Sequence, residues 1–229
     1  MAIDWIFKYR PNSIEEMALY PALKDRLNLY YQEGEYGHLI FAGGWGTGKT
    51  TAAHILGEKH PNDFAEFDCA GKNTKTELQK IITGSFSVSL MGSKRVILLD
   101  EFHNIKTNEQ TIFNVPMEKN YNQSIYILAV NDIDKVNPAI VSRSTILNFD
   151  IGTLSKKTHK LTINPYTGIT KDKWIKELKR VTNIVADKAG AIISNKSFNA
   201  VLSTDAYLID VRSFIRAVNE QIKIDAMNC

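Results

Sequence analysis

Cysteine is scarce in this chain, with Cys69 and Cys229 the only two among 229 residues. Two thiols so placed form no disulfide framework, which sets aside the small stapled secreted folds and points to a reducing, cytoplasmic setting. Long apolar runs are missing as well. No stretch approaches the roughly twenty residues needed to cross a bilayer, so no membrane partner is expected. The opening Met1-Ala2-Ile3-Asp4-Trp5 lacks the charged-then-apolar layout of a secretory leader. Charge of one sign is also in short supply: the net is +3, so any nucleic-acid surface has to be local rather than global. Internal repeats and low-complexity tracts are absent, which removes repeat architectures. What remains is an ordinary globular composition, 44% hydrophobic and 23% charged, long enough for one large or two modest domains.

Against that background one stretch carries chemistry. Gly43-Gly44-Trp45-Gly46-Thr47-Gly48-Lys49-Thr50 fits G-x-x-x-x-G-K-[ST], with Thr51 following. It lies between the apolar run His38-Leu39-Ile40-Phe41-Ala42 and a helical stretch from Thr51 to Lys59. Strand, glycine loop and helix are the context in which this motif binds phosphate. Glycines let backbone N–H groups turn inward around a polyphosphate, and the helix start adds its positive dipole end. Lys49 is placed to reach the β- and γ-phosphates of ATP, and Thr50 to hold Mg²⁺. The bland alternative, a glycine-rich turn with an exposed lysine, does not explain the flanking pattern.

The second strong signal is Lys94-Arg95-Val96-Ile97-Leu98-Leu99-Asp100-Glu101, an apolar run ending in paired acids. It reads as a buried parallel strand delivering carboxylates to its C-terminal edge. Asp100 suits the Mg²⁺ shell, and Glu101 could orient or deprotonate an attacking water. Further strands are expected at Phe64–Asp68, Ser124–Val130 and Ile146–Phe149, with helices at Ala22–Glu33 and Thr74–Thr83. Residues 1–21 read as an irregular lead-in, with Pro11 disfavouring helix at Arg10 and a short start near Ser13. After Asp150 the composition turns polar. Residues 152–168 read as a connector in which Lys160–Ile163 could pair as a short strand. Helices follow at Asp172–Ala189, Ser197–Leu202 and Asp210–Ala226, the first begun by Thr170 or Lys171 and ended by Gly190. The expected architecture is α/β: a five-stranded parallel sheet with flanking helices over residues 1–150, then a small helical lid over 151–229.

Taken in order, Lys8-Tyr9-Arg10-Pro11, His38-Leu39-Ile40, the glycine loop, Leu98-Leu99-Asp100-Glu101, Asn131, Ser142-Arg143 and Asp210-Val211-Arg212 resemble the AAA+ ATPases of clamp loaders. Within that family the likeness is greatest to the large subunit of T4-like bacteriophages, whose acid motif also reads Asp-Glu-Phe. The resemblance implies a Mg²⁺-dependent ATPase that loads a polymerase sliding clamp onto primer-template DNA, alongside other loader subunits, in the cytoplasm of an infected bacterial host. It implies that Tyr9, Arg10 and Pro11 line the adenine pocket and that Glu101 is the catalytic glutamate. Asn131 corresponds to the polar residue that senses the γ-phosphate. Arg143 corresponds to the finger reaching into a neighbour's site, and Arg212 to the lid arginine on the phosphates. Lys72, Lys75 and Lys80 fall where loaders line DNA, although exposed lysines are also the norm on any surface.

The chain departs from the pattern at three places. Gly44 and Trp45 stand where the family usually has prolines, which loosens the loop and puts a bulky ring near the site. Ser144 replaces a cysteine after the finger. The family carries a third, collar domain, and the sequence stops after the expected lid, the collar being either absent in nature or removed. A rival reading is a helicase-loader-like adaptor of the AAA+ class, a group without a collar that binds partners with little hydrolysis.

Overall fold

The computed structural model describes residues 5–34, 36–60, 62–71, 75–85 and 94–227. In chain order the elements are α1 (Trp5–Lys8), a 3-10 turn at Ile14–Glu16, α2 (Pro21–Glu33), β1 (Leu39–Ala42), α3 (Lys49–Gly57), β2 (Phe64–Asp68) and α4 (Lys75–Ser85). Then come β3 (Arg95–Asp100), α5 (Asn114–Lys119), β4 (Ser124–Val130), α6 (Pro138–Val141) and β5 (Thr145–Asn148). The remainder holds β6 (Gly152–Leu154), β7 (Leu161–Ile163), α7 (Lys171–Ala189), α8 (Asn195–Leu202) and α9 (Val211–Met227).

Five of these strands form one sheet in the order β2-β3-β4-β1-β5, with parallel pairing throughout. The apolar runs dictate this. A strand covered on both faces has no polar side to alternate, and every residue of β1 and β4 is buried. The register sets Ala42 against Val130 and Leu99 against Leu128. Asp100 at the end of β3 and Asn131 just past β4 therefore emerge on one edge of the sheet, the edge at which β1 also ends.

The chain divides into two compact units. The sheet unit comprises Leu27–Gly43 and Ala52–Phe149. Its core is built on Ile40, Ile97, Leu99, Phe102, Phe113, Tyr126 and Leu128, all at most 1% exposed. His38 is buried in the same unit: its Nδ1 accepts from the Tyr126 amide and its Nε2 donates to the Met117 carbonyl. Burial holds this imidazole below its ordinary pKa, and so neutral.

The other unit is not contiguous in sequence; it gathers Met1–Arg26, Gly44–Thr51 and Asp150–Cys229. Its core joins Trp5 and Ala18 to Trp174, Leu178, Val181, Phe198, Leu208, Phe214 and Val218. The helices here are delimited by side-chain caps. Thr170 accepts from the Lys173 amide, Ser194 from Ser197 and Asp210 from Ser213, and α7 stops at Gly190.

Two expectations are corrected. The lead-in contains a helical turn, α1, because Trp5 is buried in the second core and anchors it. The connector at 152–168 contains an antiparallel pair, in which the strand allowed for at Lys160–Ile163 is β7 and its unexpected partner is β6, Thr162 sitting opposite Thr153. The helix expected from Thr74 runs from Lys75 to Ser85, Thr74 itself lying outside the described residues.

Candidate functional site

The glycine loop begins where β1 ends, and the Gly43 amide donates to the Val130 carbonyl of β4 at 3.1 Å. Gly44 is then held from both ends. Its N–H donates to Asp150 Oδ1 at 2.7 Å. Its carbonyl accepts from Thr47 Oγ1 at 2.9 Å and from Lys49 Nζ at 2.7 Å. The sequence leads one to expect a loosened loop at Gly44; the structure shows one tied by three hydrogen bonds. Trp45 projects outward, 73% exposed.

Gly46 has φ +70°, and a Cβ there would run into the Asp210 carboxylate and lie 3.1 Å from Arg212 Cβ. Only glycine permits that approach. The start of α9 thus brings Arg212 beside the loop. Arg10 is brought to its other end, where Nε donates to Thr51 Oγ1 at 3.1 Å. Tyr9 packs partly against the second core, with the Lys8 ammonium 5.2 Å from its ring centre. Pro11 follows, half-buried.

Lys49 and Thr50 open the first turn of α3, which runs for nine residues. Helix starts carry the positive end of the dipole. Lys49 is only 8% exposed, and its ammonium rests on a loop carbonyl. A buried cation beside a glycine loop and a helix start fits a polyphosphate, and the Thr50 hydroxyl beside it suits a Mg²⁺ shell.

The sheet unit presents a second cluster. Glu101 has φ 53° and ψ 33°, the left-handed region that non-glycine residues enter rarely and at a cost of about 1–3 kcal/mol. Such strain persists where the surroundings fix it. The Glu101 amide donates to Asp100 Oδ1 at 2.9 Å. Its carboxylate accepts from Asn131 Nδ2 and Asn104 Nδ2, each at 3.4 Å, and lies 3.3 Å from His103 Nε2. The Asn131 amide donates to His103 Nδ1 at 3.3 Å. His103 Nε2 also lies 3.4 Å from Asn131 Nδ2, so the imidazole touches both Glu101 and Asn131. His103 was not foreseen; its place two residues after the paired acids was the one available signal. The cluster brings Glu101 and Asn131 together.

Arg143 lies just past α6. Its guanidinium donates to the Ala139 carbonyl at 2.7 Å and to Glu118 Oε2 of α5 at 2.9 Å. Of the three lysines considered for DNA, Lys80 is exposed on α4. Lys72 and the side chain of Lys75 lie outside the described residues.

Comparison with known proteins gives the geometry a family setting. Residues 39–150 match the profile of the ATPase family associated with various cellular activities (AAA). The replication factor C small subunit of Halobacterium salinarum is 30% identical over 151 residues, 63% of this chain and 47% of that protein. Its counterpart from Methanococcus maripaludis is 28% identical over 197 residues, 83% of this chain and 58% of that protein. The chain spans about half the length of the curated relatives it matches. Among solved structures, the Thermotoga maritima RuvB Holliday junction branch migration motor aligns over 94% of this chain and 72% of its own, with TM-score 0.59 and 19% identity. A single-site variant of that RuvB reaches TM-score 0.67 at 18% identity, a likeness of fold. Among the described residues no helix is long and apolar enough to cross a membrane. Residues 39–150 are similar to the AAA ATPase family and adopt its P-loop fold, and the chain shows homology to replication factor C small subunits.

Proposed function

We propose that this chain is a clamp-loader ATPase subunit, which uses ATP to place a sliding clamp on primer-template DNA. The observation that carries the reading is a phosphate-loop sequence following β1, with Asp100 ending β3 and Glu101 just past it, in a homologue of replication factor C small subunits. In this reading Lys49 holds the β- and γ-phosphates, while Thr50 and Asp100 hold Mg²⁺, which supplies charge neutralisation when bound. Glu101 orients or deprotonates the attacking water, and Asn131 fixes the Glu101 carboxylate and senses the γ-phosphate. Tyr9, Arg10 and Pro11 receive the adenine, and Arg212 from the start of α9 adds positive charge to the phosphates. Arg143 acts on the site of a neighbouring subunit, leaving Glu118 to do so. An exposed ion pair of that kind is worth about 0–1 kcal/mol, so its loss is easily offset. ATP favours the clamp- and DNA-bound assembly, and hydrolysis releases it, which requires each partner to bind the ATP state better. Lys80 contributes a phosphate contact to DNA, and the replication system served is a bacteriophage's.

The test is ATP turnover by the purified chain alone, with a sliding clamp, and with clamp plus primed DNA, together with its companion subunits. Turnover stimulated by both ligands supports the proposal. Capture of a replicative helicase with no response to clamp would instead identify a helicase-loading adaptor.

A further inference from the structure

Glycine is the residue least able to hold a conformation by itself, since no Cβ limits its backbone. Gly44 nevertheless occupies the centre of the loop's hydrogen bonding. Its carbonyl receives both Thr47 Oγ1 and Lys49 Nζ, so the direction of that carbonyl decides where the Lys49 ammonium rests. Something has to fix the other side of the residue. The atom that does so comes from more than a hundred residues away: Asp150 Oδ1, at 2.7 Å from the Gly44 nitrogen. We infer that Asp150 is a positioning residue for the phosphate loop, acting through the Gly44 amide to set the backbone that aims Lys49.

Two observations and one argument from charge bear on this. The contact is short and charge-assisted, the stronger class of hydrogen bond. Gly44 is not in the left-handed region, and a Cβ there would meet Asp150 Oδ1 at 3.6 Å, an ordinary contact. The carboxylate therefore sits over Gly44 without needing its glycine character, and works by bonding rather than by filling space. Third, the carboxylate adds negative charge beside a loop that receives phosphate. Charge alone would oppose nucleotide binding, so a net benefit has to come from ordering the backbone. The effect has the size of one hydrogen bond to a charged group, roughly tenfold or more in an equilibrium constant.

The inference rests on the nucleotide reading of the loop, and its test separates the two. Trp45 is exposed whereas Trp5 and Trp174 are buried, at 73%, 8% and 4%, so changes in tryptophan emission on adding MgATP report on the loop. Asp150→Ala should weaken MgATP binding roughly tenfold. Asp150→Asn keeps the oxygen acceptor and removes the charge, and should bind at least as tightly as the parent. Gly44→Ala supplies backbone restraint of its own, so the loss caused by Asp150→Ala should shrink to within about threefold in that background. Hydrogen exchange in nucleotide-free protein gives a readout independent of ATP. The Gly44 amide should exchange roughly tenfold faster in Asp150→Ala, and at a rate between parent and Asp150→Ala in Asp150→Asn, which keeps the acceptor without the charge. Unchanged exchange and affinity in Asp150→Ala, or an equal loss with Gly44 and Ala at position 44, would overturn the assignment. Faster exchange in a protein that binds no MgATP would uphold the positioning role and refute the nucleotide reading.

Discussion

The two units contrast in how they are built and in what they present. The sheet unit rests on central strands, β1 and β4, that are buried throughout, so its core is specified by runs of a few consecutive residues. The second unit rests on amphipathic helices and on three separate stretches of chain. The chemistry follows the same division. The sheet unit holds Asp100, Glu101, Asn131 and Arg143, groups suited to moving charge in a reaction. The other holds Lys49, Thr50, Arg10 and Arg212, groups suited to gripping an anion. The roles proposed above for these residues follow that division, apart from Asp100, which is proposed to share in binding Mg²⁺. Substitutions on the two sides should then separate cleanly.

The largest effect should come from the gripping side. Lys49→Ala removes the buried ammonium from the loop, and nucleotide binding should fall below detection by calorimetry. Retained affinity would end the assignment of this loop, and the contrast with it. On the other side, Arg143→Ala should leave ATP binding by the isolated chain unchanged. In the assembly it should cost on the order of 10³–10⁵ in turnover, the worth of an arginine supplied in trans. Mixed with Glu101→Gln subunits, it should regain some activity, because each supplies what the other lacks. Equal loss in binding and turnover would place Arg143 in its own subunit's structure.

Glu101→Gln sharpens the same line with a smaller expected effect, about 10²–10⁴ in turnover, the range for a positioned acid–base group. Binding of MgATP should survive, because the glutamine still accepts from Asn131 and Asn104. Wild-type turnover in this variant would move the water-activating role elsewhere, with His103 as the neighbour to test next.

The contrast also explains what could be read from sequence. The five strands of the sheet lie within a residue or two of their expected positions, from β2 at Phe64–Asp68 to β4 at Ser124–Val130. Buried parallel strands write themselves as continuous apolar runs, and a local pattern suffices. The helical caps Thr170 and Gly190 were legible for the same reason. What escaped was set by distant partners. Helix α1 exists because Trp5 reaches a core made mostly of residues beyond 150. Strand β6, the partner of the short strand allowed for at Lys160–Ile163, has three residues, too few for alternation to show. Asp150 meets Gly44 and His103 meets Asn131 through tertiary geometry, and no spacing rule links either pair. Among the candidate residues, the structure joins Glu101 with Asn131, Arg10 with Thr51, and Arg212 with Gly46.

The smallest effect concerns how the second unit keeps its separate stretches together. Glu177 on α7 accepts from Lys24 Nζ at 3.0 Å and from Arg180 Nη2 at 2.8 Å. Arg180 in turn donates to the Glu15 carbonyl at 2.8 Å. This network ties the amino-terminal stretch to α7. Burial by itself would raise the Glu177 pKa, but the hydrogen bonds and charges of Arg180 and Lys24 outweigh it and hold the carboxyl below its ordinary value. A lowered folded-state pKa contributes stability that is fully present above the unfolded value, roughly 4.3 for glutamate. That contribution is lost as pH falls through the folded value. Glu177→Gln keeps an acceptor but not the charge, and should cost about 1.5 kcal/mol at pH 7, the lower end for a hydrogen bond to a charged group. Urea midpoints of parent and variant should then converge as pH is lowered below the glutamate range. A gap that stays constant down to pH 3 would mean that Glu177 acts by packing. The acid sensitivity of the second unit would then have to be carried by other pairs, beginning with Lys188 and Glu16 at 2.7 Å.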